Sequence, residues 1–204
     1  MNIRSAIAGL LVLLVLTLFL PGCAKRAPAL AQLSNSGFEQ PLDSGWVQTV
    51  VNDYSPLDSG TIERSDTLGQ PDSWFAVRVY KYHREHAMLS QTVELEMLAQ
   101  IARFDARFRI GANVPCTPVA AVAFNYLDSA GARLGRTLFY LPSSYCTWTD
   151  SDSLHLIRIT DTTGAWSHYG LDLQAELDSC LPLVDQSRVR KLCVELAASV
   201  DYSG

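Results

Sequence analysis

The side chains best suited to chemistry lie in one alternating run. Over residues 74–82, Trp74, Arg78, Tyr80 and Tyr82 fall on one side of an extended chain, and Phe75, Val77 and Val79 on the other. Flat aromatic rings stack on the C–H faces of sugars, and a guanidinium offers paired donors to hydroxyls, so such a face suits a glycan. Residues 103–110 repeat the alternation, with Phe104, Ala106, Phe108 and Ile110 on one face and Arg103, Asp105, Arg107 and Arg109 on the other. Arg107 and its neighbours would extend the first patch toward an acidic glycan or another anion. The same pattern also describes an ordinary solvated sheet face, with rings paired across strands and Arg beside Asp.

Other reactive groups carry less. His83-Arg84-Glu85-His86 places two imidazoles around a carboxylate, but at a spacing better suited to a helix than to the loop expected there. His155 and His168 are isolated, and Asp150 and Asp152 sit among Ser and Thr in loop-like sequence. There is no Gly-x-Ser-x-Gly elbow and no phosphate-binding glycine loop. The expectation is a protein without catalytic residues.

The cysteines separate into one and four. Arg4 precedes an uncharged, mostly Leu/Val run over residues 5–20, followed directly by Leu20-Pro21-Gly22-Cys23. This run and its cleavage region resemble the signal and lipobox of bacterial lipoproteins, with Pro21 where Ala, Ser or Thr is more usual. The resemblance implies that Cys23 becomes the lipidated first residue after removal of residues 1–22, anchoring the chain to a membrane by two or three acyl chains. Lys25 and Arg26 beyond the run disfavour an uncleaved N-in anchor. Ala24 in place of Asp implies, by the same resemblance, the outer membrane of the bacterial envelope.

Cys116, Cys146, Cys180 and Cys193 remain, an even number that favours disulfides in an exported domain. Of the three pairings, Cys116 with Cys146 and Cys180 with Cys193 are preferred, since each pair flanks an apparent hairpin or loop; free buried thiols are the alternative. No pair has C-x-x-C spacing, so zinc is not expected.

The elements that must position these groups are short and extended. The chain has 204 residues, 48% apolar and 18% charged, with a net charge of −5, which fits one globular domain and argues against a nucleic-acid partner. Residues 24–32 read as a tether. From Leu33 onward, alternating runs are punctuated by Gly, Ser, Asp and Pro, an all-β texture. Strands are expected over 47–52, 74–82, 87–93, 103–110, 119–127, 133–141, 154–160, 169–173 and 191–197. Pro118 suits a strand start, and Asp128-Ser129-Ala130-Gly131 a turn. Leu95, Leu98, Ile101 and Ala102 at helical spacing predict a helical turn within 94–103. Strands at this spacing suggest a sandwich of two sheets.

The run Leu33-Ser34-Asn35-Ser36-Gly37-Phe38-Glu39, followed by Gly45-Trp46, resembles the opening of galactose-binding-like jelly rolls, especially carbohydrate-binding modules of the cellulose- and xylan-binding kind. Ser90-Gln91-Thr92-Val93, Tyr126-Leu127-Asp128-Ser129-Ala130-Gly131, and Gly164-Ala165-Trp166 ahead of Leu171-Asp172-Leu173 resemble later landmarks of that family, in order. The resemblance implies an all-β jelly-roll sandwich over residues 33–204, with Phe38 plugging one end of the core and Trp46 covering the edge near it. It also implies a glycan on the Trp74–Arg78–Tyr80–Tyr82 face and a structural calcium with Glu39 as ligand. The family's last strand, usually ending in an Asp pair, has no counterpart at Asp201-Tyr202-Ser203-Gly204, so either the sheet closes differently or the form is truncated. The expected function is a lipid-anchored, non-catalytic envelope lipoprotein that binds carbohydrate. The alternatives are an assembly lipoprotein contacting another envelope protein and, behind it, a small envelope hydrolase.

Overall fold

The computed structural model describes residues 31–52, 56–67, 75–82, 84–110, 118–143 and 148–200. Among these residues ten strands are formed: β1 (Val47–Val50), β2 (Ser59–Ser65), β3 (Ala76–Tyr82), β4 (Glu85–Glu94), β5 (Ile101–Ala106), β6 (Pro118–Leu127), β7 (Arg133–Pro142), β8 (Leu154–Arg158), β9 (Ser167–Asp172) and β10 (Lys191–Val200). One short helix, α1 (Leu173–Ser179), follows β9. The all-β expectation therefore holds.

Six strands make one sheet in the order β1-β4-β10-β6-β7-β8, antiparallel throughout except for the parallel pair β7–β8. The nearly continuous burial along β6 and β7, and the apolar residues of β10, fit the central places of these three strands, where both faces are covered. One face carries Leu192, Val194, Val122, Phe124, Tyr126 and Phe139 into the main core. Against this face lie two separate antiparallel ribbons, β2–β3 and β5–β9. Ile62, Val77 and Val79 of the first ribbon pack with Leu42, Trp46 and Leu89. Phe104 and Tyr169 of the second stack at 5.1 Å and reach Phe124 and Phe139.

Two sequence readings are corrected. Residues 95–100 form no helix: the Leu95 N–H bonds to the Arg190 carbonyl, across from β10, rather than to a preceding turn. Leu95 and Leu98 still point into the core, so their spacing reports burial rather than helix. The second correction is Cys180–Cys193, since both cysteines are free. Cys193 shares a sheet face with Thr92 and Asn125, whereas Cys180 lies near Glu176 on the opposite, core-facing side. The sheet itself stands between the two thiols. The Cys116–Cys146 pairing falls outside the described residues.

The family-like opening is a wired loop. Asn35 Nδ2 donates to the carbonyls of Gln40 and Pro41, its Oδ1 accepts from the Gln40 N–H, and Trp46 Nε1 donates to the Asn35 carbonyl. Phe38 and Trp46 pack at 5.4 Å, in the cluster that holds Leu89. Gln91 Nε2 donates to the carbonyls of Ser34 and Gly45 and ties the loop to β4. A Cβ on Gly45 would sit 2.7 Å from that Nε2, and its φ is +105°, so the close approach requires glycine.

The β6–β7 turn is closed by Asp128. Its Oδ1 accepts from the Ala130 and Ala132 N–H groups, both at 2.9 Å, and its Oδ2 from Arg188 Nη2 at 3.1 Å. The Ala132 N–H first, then Arg188 and the Ala130 N–H, hold the carboxyl below the usual carboxylate range. A lowered folded-state pKa means stability that is present above the unfolded value of about 3.9 and lost as pH falls through the folded one. Asp128→Asn is therefore expected to lower the urea midpoint at neutral pH. The gap to wild type should narrow in acid, below about pH 4. A gap that stays constant across that range would count against the ionic role.

Candidate functional site

The residues proposed to meet a ligand are distributed over two ribbons. On β3, Arg78, Tyr80 and Tyr82 share the outward face, while Ala76 is buried and Val77 and Val79 face the core. Tyr80 and Tyr82 are 46% and 49% exposed. Their neighbours across β2 are Thr61 and Ser59, side chains too small to cover the rings. Arg78 lies opposite Glu63 and pairs with it at 2.6 Å, both groups about half exposed. The result is a strip of two rings and one ion pair, with solvent-facing donors and acceptors beside apolar surfaces. Trp74 lies outside the described residues.

Arg107 does not extend this strip by strand pairing. It follows β5, on the other ribbon, with its guanidinium 5.5 Å from the Trp166 ring centre. Arg103, Asp105, Arg107 and Arg109 are all exposed, as the alternation predicts, and Asp105 pairs with His168 of β9 at 3.0 Å. Glu39 lies in the opening loop and belongs to no group of three or more acidic, histidine or cysteine side chains among the described residues. Cys23 and His83 are outside the described residues. Glu85 and His86 begin β4, and Asp150 Oδ1 accepts from the Leu156 N–H in a turn.

A second constellation is not visible in the sequence. Asp172 caps α1 by accepting from the N–H groups of Gln174 and Ala175, and Leu173, Leu177 and Leu181 bury its inner side. Glu176 and Cys180 stand one turn apart on this helix and its cap, so both project the same way. Opposite them, the parallel pairing of β7 and β8 sets His155 beside Thr137. Glu176 Oε1 accepts from Thr137 Oγ1 at 2.7 Å and meets His155 Nδ1 at 2.5 Å. The Tyr126 hydroxyl lies 3.5 Å from Thr137 Oγ1 and is pushed far above its ordinary range, chiefly by burial.

Burial first, and then the adjacent Glu176 carboxylate, raise the Cys180 thiol above its ordinary value. A signal for the helix alone is present in the sequence, as an Asp cap ahead of leucines at intervals of four. No protein-family model matches the chain, and the curated proteins offer no match either.

Proposed function

We propose that the chain is a lipid-anchored, non-catalytic lipoprotein of the bacterial envelope, with a jelly-roll sandwich of the galactose-binding-like kind that binds carbohydrate on the outer face of β3. The observation that carries this reading is the exposed pair Tyr80 and Tyr82 beside Arg78. Alternate residues on a strand stand about 7 Å apart, a separation over which two rings can contact neighbouring parts of one saccharide. Arg78 and Glu63 add a donor and an acceptor at the edge of the strip. Support for the family resemblance comes from Gln91, which binds the opening loop to the Ser-Gln-x-Val strand, so two of its landmarks meet in space.

The test is binding of the full-length chain in detergent to a glycan array. Tyr80→Ala is expected to weaken the best ligand about tenfold, or ~1.4 kcal/mol, and Arg78→Ala comparably. Absence of any glycan binding, or binding indifferent to both substitutions, overturns the reading. The anchor is checked separately: a palmitate analogue should label the wild type and not Cys23→Ala.

A further inference from the structure

The buried Glu176 carboxylate has an unusual set of neighbours. It is 7% exposed, yet among the described residues the groups around it are a threonine hydroxyl, an imidazole and the Cys180 thiol. A carboxylate withdrawn from water is costly unless a cation or several donors compensate it. His155, Glu176 and Cys180 offer one nitrogen, one oxygen and one sulfur, all within 4.8 Å of one another. Among the described residues they are the one such group.

We infer that His155, Glu176 and Cys180 form a binding site for a borderline-soft divalent cation, with zinc the best match. The donor set makes the choice. Calcium and magnesium take oxygen ligands, and a sulfur ligand disfavours both, whereas zinc accepts imidazole, carboxylate and thiolate together. Ligand atoms in a tetrahedral zinc site stand about 3.3–3.8 Å apart, as bonds of about 2.0–2.3 Å require. Seating the ion therefore needs His155 and Glu176 to part by under about 1 Å and the Cys180 sulfur to swing in by about 1 Å. The thiol gives up its proton to solvent, and the sulfur lone pair turns to the metal. The carboxylate then faces a cation instead of a thiol, which offsets its desolvation.

The scaffold is stiff where ligands must be held. Glu176 and Cys180 ride on a helix pinned by Leu173, Leu177 and Leu181, each buried, and His155 sits in register beside Thr137. Thr137 Oγ1 donates to Glu176 and orients the carboxylate as an outer partner. Three protein ligands leave a fourth position for water. Asp150 is the next acid, close enough to help raise the Cys180 thiol. This site is independent of the β3 strip: it lies at the β8 end of the large sheet, while β3 packs on β4 and β10.

Cobalt and zinc alone are the probes, added to the metal-free full-length chain. One equivalent of cobalt is expected to bind with tetrahedral visible bands and a near-ultraviolet sulfur-to-cobalt charge-transfer band, and zinc should displace it. Cys180→Ser should abolish the charge-transfer band, and His155→Gln should weaken binding at least 100-fold. A second measurement needs no variant to fold. One equivalent of zinc should protect Cys180 of the wild type from alkylation, read peptide by peptide, and leave Cys193 unchanged. Cobalt bound without the charge-transfer band, or Cys180 alkylated equally with and without zinc, overturns the site. Glycan binding is read separately, so either proposal can fail alone.

Discussion

Replacing Phe139 by Ala is expected to destabilise the protein by about 4 kcal/mol. Phe139 is 4% exposed and stands in the central strand β7. Its ring meets Phe104 at 5.2 Å edge-on, Tyr169 at 5.7 Å and Phe124 at 6.1 Å. Phe104 and Tyr169 belong to the β5–β9 ribbon, whereas Phe124 and Phe139 belong to the large sheet. Truncation therefore removes the contact between layers as well as its own transfer free energy. It also leaves a cavity that rings on two separate sheets cannot close by small shifts. Because total stability for a domain is about 5–15 kcal/mol, the variant should be partly unfolded at 37 °C. Phe139→Leu keeps most of the volume and should cost about 1–1.5 kcal/mol. Ile101→Ala, at an exposed position of β5, should stay within about 0.5 kcal/mol. Urea unfolding of the three variants checks this ordering. A Phe139→Ala cost no larger than that of Ile101→Ala would mean that the ribbon does not depend on this ring cluster.

The strands that build this core are readable from period-2 alternation where one face is buried and from long apolar runs where both are. β6 and β7 match their expected bounds within about a residue, bracketed by Pro118 and the Asp128–Gly131 turn. β2 is not legible because Ile62 is its one large apolar residue, so a ribbon edge of Ser, Gly, Thr, Glu and Arg reads as loop. The segment after β4 has helix-forming composition, but the Arg190 carbonyl, just ahead of β10, takes its first N–H. α1 carries its own signal, the Asp172 cap and leucines at intervals of four, but the expected strand over 169–173 runs across its start. Site residues divide the same way. Arg78, Tyr80 and Tyr82 lie on one strand, so their common face follows from the sequence alone. His155, Glu176 and Cys180 meet only through a parallel strand pair and a helix turn, and that is long-range information. The Cys180–Cys193 pairing fails for the same cause, since closeness along the chain does not reveal the sheet between them.

Arg136→Met is the second substitution expected to matter. Arg136 Nη2 meets Glu195 Oε2 at 2.5 Å, and the two side chains are 5% and 17% exposed. The pair spans β6 diagonally from β7 to β10, with Arg136 in register with Asn125 and Glu195 with Ala123. Coulomb attraction in such a place is largely offset by the cost of removing both charges from water, so the intact pair adds little net stability. Removing one partner is different, because the remaining carboxylate keeps its desolvation cost without its cation. Full burial would cost about 3–5 kcal/mol; the residual exposure of Glu195 reduces this to about 2–3 kcal/mol. The double variant Arg136→Met/Glu195→Leu should recover most of that loss, since neither charge is then stranded. The cycle should give a coupling energy of about 2 kcal/mol from urea midpoints, with Glu195→Leu alone completing it. If the two single costs instead sum to the cost of the double variant, the residues act independently, and the pair is two buried polar groups that happen to touch.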